Sequence, residues 1–189
     1  MAEQDSPKYY TATGDDGMTS LLGDQRVKKY HPQPMCYGDV DEAQSALGVA
    51  RAIMQDEDAA QVVLQTQRDL YHLMSELAAT PENQERFRKI NADRVVWLEK
   101  HTDFYGSRLN LPREFVISGD SAPGAALDYA RTVVRRAERS VVKLDDDGTI
   151  SNPELGRYMN RLSSLCFVLA RYEDALSGQS KVTLAKDVG

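Results

Sequence analysis

The feature that most restricts the fold of this chain is an apolar stripe in its last third. Its members are spaced alternately three and four residues apart, at Leu127, Ala130, Val134, Ala137, Val141 and Leu144. That spacing places all six side chains on one face of an α-helix, whereas one face of a strand needs a period of two. Comparable stripes occur within residues 43–53, 63–77, 95–105 and 155–172. No strand-period run and no internal repeat competes, so the sequence predicts an all-α bundle of about five helices.

Local signals predict where several helices begin and end. Thr80-Pro81 ends the second helix, Asp120 or Ser121 caps the fourth, and Asn152-Pro153 precedes the fifth. With 189 residues in all, we expect one domain over residues 1–177 and a flexible polar tail at 178–189. Residues 1–40 contain several glycines and prolines without a sustained period, which predicts an ordered loop or a mobile arm.

Charge and hydropathy exclude some classes of partner. The net charge of −6, from 29 acidic and 23 basic residues, argues against a general binder of nucleic acids or anionic membranes. The longest charge-free apolar stretch near the end, 162–170, is far shorter than the ~20 residues of a spanning helix. With no export signal, we expect a cytoplasmic protein. Cys36 and Cys166 are 130 positions apart and have no metal-ligand spacing around them, so free thiols and no protein-held metal site are expected.

The fourth helix carries an unusual concentration of positive charge. Four arginines and one acid fall within residues 131–139, giving a local charge of +3 against −9 for the rest of the chain. Arginine suits bidentate contacts to phosphate, and neighbouring arginines repel one another unless an anion is present. The alternative is a solvated helix face or structural ion pairs to acids such as Asp41 or Glu42. The pattern alone favours neither interpretation.

A second candidate site lies near the N-terminus. Residues 10–23 are rich in glycine, threonine and serine, and Arg26, Lys28 and Lys29 follow them. Glycines let backbone N–H groups approach phosphate oxygens, and hydroxyls add donors or magnesium ligands. The segment has no Gly-Lys-Ser/Thr and is therefore not a Walker A loop. A flexible arm is the alternative interpretation.

Taken in order, five short segments resemble one family. They are Thr-x-Thr-Gly-Asp-x-Gly-x-Thr-Ser (11–20), Arg-Val-x-Lys (26–29), Tyr-Gly-x-x-Asp-Glu (37–42), Arg-Thr-x-x-Arg-Arg-Ala-Glu-Arg (131–139) and Asn-Arg-Leu-Ser (160–163). Over residues 9–173 the chain resembles the PduO-type ATP:cob(I)alamin adenosyltransferases. The combination of the N-terminal and arginine motifs is highly specific to that family.

The resemblance implies a five-helix homotrimer with active sites between subunits, each built from the N-terminal loop of one chain and the arginine motif of its neighbour. An aspartate matching Asp41 pairs across the interface with Arg131, and an aromatic residue matching Phe115 lies against the lower face of the corrin. Phe167 is a weaker second candidate for the corrinoid. The implied ATP contacts are Thr11, Ala12, Thr13, Gly14, Thr19, Ser20, Lys29, Arg135, Arg136, Ala137, Glu138, Arg139 and Asn160.

The implied reaction transfers the 5′-deoxyadenosyl group of ATP to the cobalt of cob(I)alamin. Cob(I)alamin is itself a strong nucleophile, so the protein needs no general base. It must position the reactants and stabilise the departing triphosphate, the role expected of Lys29, Arg131, Arg135 and Mg²⁺ on the phosphates. Phe115 would exclude the lower axial ligand and so ease reduction to Co(I). Without the resemblance, ordinary burial of Phe115 in a loop and of Phe167 in the core is the simpler expectation.

The chain departs from the usual family pattern at several positions, but none of them removes a phosphate-binding cation. A Pro-Gly-Gly segment is replaced by Ser118-Gly119-Asp120, for which a more flexible corrinoid loop is expected. The other departures are Asp24, Gln44 and Ser164. Activity is therefore expected, with a reductase and an adenosylcobalamin-dependent client enzyme as possible partners. The alternatives are a non-catalytic carrier of corrinoid or nucleotide and a purely structural helical trimer.

Overall fold

The computed structural model describes residues 9–178 and 182–186. Within these ranges the chain forms a two-stranded sheet followed by six α-helices, with a 3₁₀ turn at Pro81–Asn83. The strands are β1 (Met18–Ser20) and β2 (Arg26–Lys28). The helices are α1 (Pro32–Arg51), α2 (Glu57–Leu77), α3 (Gln84–Phe87), α4 (Ala92–Gly106), α5 (Ala122–Asp146) and α6 (Glu154–Leu176).

The five long helices pack side by side around one core. α5 packs on both α6 and α1, α4 packs on α6, and α2 packs on α1 and, less extensively, on α6. All six members of the apolar stripe from Leu127 to Leu144 are at most 1% exposed and belong to this core. The apolar face of α5 therefore packs in the core, and residues on its other faces contact neighbouring helices or solvent.

The prediction of a helical bundle is confirmed, but the expected number of helices differs. The sequence predicts about five helices, and the described residues contain six because α3 adds a single turn after Pro81. Such a four-residue helix is too short to show an apolar period. The Ser121 cap is confirmed: its hydroxyl accepts a hydrogen bond from the N–H of Gly124 at 3.0 Å. At α6, the Asn152 side chain likewise accepts from the N–H of Glu154 at 3.1 Å.

The beginning of α1 corrects the last part of the expected loop or arm over residues 1–40, of which residues 1–8 lie outside the described ranges. The helix starts at Pro32, nine residues before the predicted Asp41. His31 caps it by accepting from the N–H of Gln33, and a proline fits the first turn, where no intrahelical N–H bond is needed. Pro32, Pro34 and Gly38 interrupt the helical pattern of the sequence, so it does not predict the first turns of α1.

The hairpin is a second correction, because no strand is predicted. Strands of three residues are too short to display a period of two, and they pair antiparallel with Thr19 opposite Val27. Its tip is fixed to the bundle: the N–H of Leu22 donates to the carbonyl of Ala78 at 2.7 Å, and the N–H of Thr80 donates to the carbonyl of Leu22 at 3.3 Å. Leu21 beside it is 3% exposed.

Three observations concern the expected absences. Among the described helices, none combines the length and apolar character needed to cross a bilayer. Residues 9–178 and 182–186 contain no group of three or more His, Cys, Asp or Glu arranged to hold a metal ion. Cys36 and Cys166 are free, as predicted, and both are buried; burial raises the pKa of each thiol to about 12.

Candidate functional site

The glycine-rich segment before β1 folds into consecutive tight turns. The N–H of Asp15 donates to the carbonyl of Ala12 at 3.3 Å, and the N–H of Gly17 donates to that of Gly14 at 3.1 Å. Ala12 adopts φ 58°, in the left-handed region that non-glycine residues seldom occupy. Nearby, the hydroxyls of Thr11 and Thr13 are 2.9 Å apart. The turns therefore gather several small polar groups on an exposed loop.

Arg26 braces this loop from β2. Its guanidinium donates to the carbonyl of Thr13 at 2.8 Å and to a carboxylate oxygen of Asp16 at 3.2 Å. The same oxygen accepts from the N–H of Met18 at 2.9 Å. The N–H of Met18 and then Arg26 lower the pKa of Asp16. The guanidinium of Arg26 therefore holds the shape of the loop. A different cation lies at the exposed surface of the loop.

That cation is Lys29. Its backbone N–H donates to the carbonyl of Gly17 at 3.0 Å. Its ammonium lies so close to Gly14 that a Cβ added at Gly14 would be 3.0 Å from Lys29 Nζ. The structure therefore brings together the predicted nucleotide residues 11–14 and Lys29, with Thr19 and Ser20 on the adjacent strand β1. A positive charge over a glycine turn is a suitable cradle for phosphate.

The arginines of α5 differ in their partners. Arg136 forms an ion pair with Glu42 of α1, and that pair raises the pKa of Arg136. Arg139 donates to the backbone carbonyl of Arg135 at 2.9 Å. Within the described ranges, neither Arg135 nor Arg139 has a carboxylate partner. Ala137, a fifth member of the motif, is buried in the core, so its side chain packs there and does not face solvent.

A series of hydrogen bonds connects the arginine surface of α5 (residues 131–139) to α6 and α4. The Asn160 amide donates to Glu138 at 2.7 Å, and Arg161 donates to the Asn160 oxygen at 2.9 Å. Arg161 also donates to Glu99 at 2.7 Å. The predicted site residues Glu138 and Asn160 are thus in direct contact. Glu99 escaped the sequence reasoning, because nothing in its neighbourhood distinguishes it from an ordinary helix-surface acid.

Phe115 lies in the loop between α4 and α5 and is 89% exposed. It borders a cavity of about 340 Å³ that Phe167, Asp128 and Arg131 also line. The alternative of ordinary burial for Phe115 is therefore wrong for this chain. Phe167 is half-buried and faces the same cavity. Two aromatic rings beside a cation can receive a large, flat, partly apolar ligand with polar groups at its edge.

Beneath this cavity lies a buried cluster of charges. Asp128 accepts from Arg131 at 3.0 Å and also pairs with Arg171, whose side chain is 0% exposed. Arg171 further pairs with Asp174 at 3.1 Å, and Ser121 donates to Asp174 at 2.6 Å. Sequence reasoning missed Asp128 and Arg171, although each is a charged residue inside an apolar stripe. Within this chain Arg131 pairs with Asp128, while Asp41 is exposed on α1.

Taken together, the fold and these contacts define a helical bundle with a cationic glycine loop, an arginine surface and an aromatic cavity. Residues 9–173 match the family model described as cobalamin adenosyltransferase. The chain belongs to this family of transferases.

Individual relatives agree with that assignment. A corrinoid adenosyltransferase from Mycobacterium bovis is 40% identical over 87% of each chain, and one from Bacillus subtilis is 36% identical over 90% of this chain and 89% of its own. Corrinoid adenosyltransferase PduO of Salmonella typhimurium is 35% identical over 92% of this chain. This chain spans about half (52%) of the length of that protein and of its Citrobacter freundii counterpart.

A solved structure extends the similarity to the backbone. It is a variant of a PduO-type ATP:corrinoid adenosyltransferase from Lactobacillus reuteri complexed with cobalamin and ATP. It superposes with a TM-score of 0.87 at 32% identity, covering 95% of this chain and 97% of the other. A second variant from the same organism, complexed with ATP, gives a TM-score of 0.86 at 29% identity and covers 94% of this chain and 99% of its own.

Proposed function

We propose that this chain transfers the 5′-deoxyadenosyl group of ATP to the cobalt of cob(I)alamin, giving adenosylcobalamin and triphosphate. The observation that carries the proposal is the exposed Phe115 at a cavity that Arg131 also lines. Such a cavity suits a corrinoid, and the related Lactobacillus reuteri enzyme has been solved with cobalamin and ATP. The Lys29 loop and the arginine surface of α5 supply the cations for the second substrate.

In the proposed reaction, Co(I) supplies the electron pair that forms the cobalt–C5′ bond. The C5′–oxygen bond breaks at the same time, and its electron pair leaves with the triphosphate. The protein therefore has to align two reactants and stabilise the negative charge that develops on the leaving group. Lys29 is already held against the Gly14 turn. Arg135 has no carboxylate partner in the described part of the chain, so its guanidinium is available to the phosphates.

Mg²⁺ fits this site only as a companion of ATP. The described residues provide no three-ligand cluster of their own, and Mg²⁺ is commonly held through substrate phosphates with few protein ligands. The hydroxyls of Thr19 and Ser20 on β1 are the candidate protein ligands for such an ion. A magnesium ion bound there would neutralise part of the phosphate charge.

Phe115 has a separate role in the proposal. An apolar ring against the lower face of the corrin excludes water from the axial position of cobalt. Removal of that ligand raises the Co(II)/Co(I) potential, which brings the reduction within reach of cellular reductants. The ring is 89% exposed in the single chain, so a bound corrinoid would cover apolar surface that water otherwise contacts.

We also propose a homotrimer in which the nucleotide site lies between subunits. In the described residues, no hydrogen bond or ion pair joins the loop at 11–29 to the arginines at 131–139. Arg131 remains 32% exposed beside Asp128, so the Asp41 carboxylate of a neighbouring subunit could share its guanidinium. The carboxylates of Asp128 and Asp41 would then fix Arg131 from two sides. A cytoplasmic location and partnership with a reductase or a client enzyme remain predictions.

The test is to mix the protein with ATP, Mg²⁺ and chemically reduced cobalamin and to follow formation of the cobalt–carbon bond by absorbance. Adenosylcobalamin is the expected product. If ATP binds tightly and no product forms, the protein is a carrier and not an enzyme. If ATP does not bind, a purely structural role remains.

A matched pair of phenylalanine variants tests the role of Phe115. Phe115→Ala should slow the reaction mainly when Co(II) must be reduced on the protein. Phe104→Ala is the control, because Phe104 is also exposed (50%) but borders a different cavity. Equal slowing of Phe115→Ala with preformed Co(I) would contradict the axial-ligand argument.

A further inference from the structure

The loop that carries Phe115 is held by a segment distant in sequence. Within the described residues, the backbone–backbone hydrogen bonds of Phe115 and Ile117 all go to residues 183–185. The N–H of Ile117 donates to the carbonyl of Thr183, and the N–H of Ala185 donates to the carbonyl of Phe115, each at 2.8 Å. Val116 and Leu184 form an antiparallel bridge between these bonds. Residues 115–117 and 183–185 therefore form a short antiparallel ladder.

Asp120 closes the end of this ladder. One carboxylate oxygen accepts from the N–H of Thr183 at 3.0 Å, and the other accepts from the Thr183 hydroxyl at 2.6 Å. These two bonds lower the pKa of Asp120, so the carboxylate is ionised at neutral pH. Charge-assisted hydrogen bonds of this length are stronger than neutral ones. Asp120 stands in the Ser118-Gly119-Asp120 segment, where the family commonly has glycine.

We propose that residues 182–186 position the loop of Phe115 over the cavity, with Asp120 as the positioning residue that locks them in place. Asp120 touches neither substrate in this scheme. It acts through Thr183 and the ladder, which fixes the backbone on both sides of Val116. The lock is a contact between two segments of the chain that are far apart in sequence.

The geometry also gives the reason why such a lock matters. Phe115 and Ile117 are 89% and 48% exposed, so side-chain burial does little to hold the loop. Besides the ladder, one long contact reaches it from the core, from Arg171 to the carbonyl of Ile117 at 3.5 Å. An exposed loop with few buried contacts opens readily on its own. Without the ladder, the aromatic ring would sample many positions relative to the corrin.

This inference rests on the proposed function for its catalytic meaning, so the experiment has one readout that does not. Amide hydrogen exchange at Ile117 and Ala185 is measured in the ligand-free protein. We expect exchange at both positions to become about fivefold to tenfold faster in Asp120→Ala, the effect of losing one or two hydrogen bonds. Asp147→Ala is the control, because Asp147 is an exposed acid paired with Lys143 in the turn after α5.

The kinetic readout separates positioning from general damage. Asp120→Ala should raise the KM for the corrinoid by about the same factor and leave the KM for ATP unchanged. It should also weaken the optical signature of Co(II) that has lost its lower axial ligand on the protein. Asp120→Asn keeps one of the two oxygen acceptors for Thr183 and loses the charge, so it should reverse only part of both effects. Thr183→Val removes only the hydroxyl bond and should give a smaller change, which provides a second test if Asp120→Ala does not fold.

Faster exchange together with a higher corrinoid KM supports the proposal. Unchanged exchange in Asp120→Ala and Thr183→Val overturns the ladder, and faster exchange with an unchanged corrinoid KM overturns its positioning role. Failure of the proposed function is a different result: the unmodified protein would then form no adenosylcobalamin, while the exchange measurement would still decide whether the ladder exists.

Discussion

The buried arginine of α6 and two exposed arginines of α5 have opposite surroundings. Arg171 is fully buried and paired with Asp128 and Asp174, so its charge is neutralised within the chain. Arg135 and Arg139 are exposed and, in the described part of the chain, lack any carboxylate partner. A buried arginine with its acids belongs to the fold, whereas clustered arginines without acids are available to an external anion. The difference in pairing distinguishes structure from ligand binding.

Arg131 shares features with both the buried and the exposed arginines. It shares Asp128 with Arg171 and lines the cavity beside Phe115. Asp128 therefore connects the buried cluster to the proposed site. A change in the buried cluster should reach the cavity through this carboxylate, while a change at Arg135 should leave the bundle intact.

The largest effect is expected from Arg171→Ala. It leaves Asp174 buried without its cation and Asp128 paired with Arg131 alone, and breaking a buried pair in this way typically costs about 3–5 kcal/mol of stability. The measurement is urea unfolding followed by circular dichroism. Arg157→Ala is the matched control, because Arg157 is 57% exposed and pairs with Glu154 on the same helix. A loss no larger than that of the control would show that the buried cluster is not structural.

Arg135→Ala should reverse that pattern. Loss of one cation that stabilises the departing triphosphate should lower kcat/KM by about 100-fold, and the urea midpoint should stay where it is. Steady-state kinetics with ATP and cob(I)alamin, and unfolding of the same preparation, provide both numbers. Arg157→Ala again serves as control. If kcat/KM stays at the level of the control, Arg135 does not bind phosphate and the contrast between buried and exposed arginines fails.

Gly14→Ala probes the loop at a smaller scale. The added methyl would be 3.0 Å from Lys29 Nζ and 3.1 Å from its Cε, so the flexible end of Lys29 must move. We expect the KM for ATP to rise about tenfold, the equivalent of one charged hydrogen bond, with little change in stability. Gly156→Ala is the control, since its nearest neighbour is a Val142 methyl at 3.9 Å. An unchanged KM for ATP would separate Lys29 from the nucleotide.

Arg136→Ala should give the smallest effect on the fold. Its ion pair with Glu42 is about half exposed on both sides, and exposed pairs contribute little to stability. No measurable shift of the urea midpoint is expected. The KM for ATP should rise less than in Arg135→Ala, because Glu42 already neutralises this guanidinium. A larger rise than in Arg135→Ala would mean that ATP displaces Glu42.

The sequence predicts the bundle well because its helices have regular stripes. From Leu127 to Leu144 every expected core residue is buried, and the Ser121 cap follows directly from its chemistry. Regularity is absent before Asp41, where prolines at the start of α1 look like loop residues, and in strands too short to show alternation. These elements are fixed by contacts with distant residues, such as the bonds from Leu22 to Ala78 and Thr80.

The site is predictable from sequence only where a motif is continuous. The turn around Gly14 and the arginines of α5 are recognisable as local patterns. Asp128, Arg171 and Thr183 act through partners 43 to 63 positions away, and no local pattern identifies such partners. The sequence leaves open whether the arginines of α5 pair with acids such as Glu42 or bind an anion, and the packing of α5 on α1 decides this for Arg136.

The hydrogen bonds from Arg26 to the loop have a consequence for how tightly a nucleotide would bind there. Because Arg26 holds the carbonyl of Thr13 and the carboxylate of Asp16, the turns exist before any phosphate arrives. A preorganised loop loses less conformational entropy on binding, and this saving appears as affinity without any added contact. Under the proposed function, Arg26 is therefore a residue through which nucleotide affinity can be tuned although it need never touch the nucleotide.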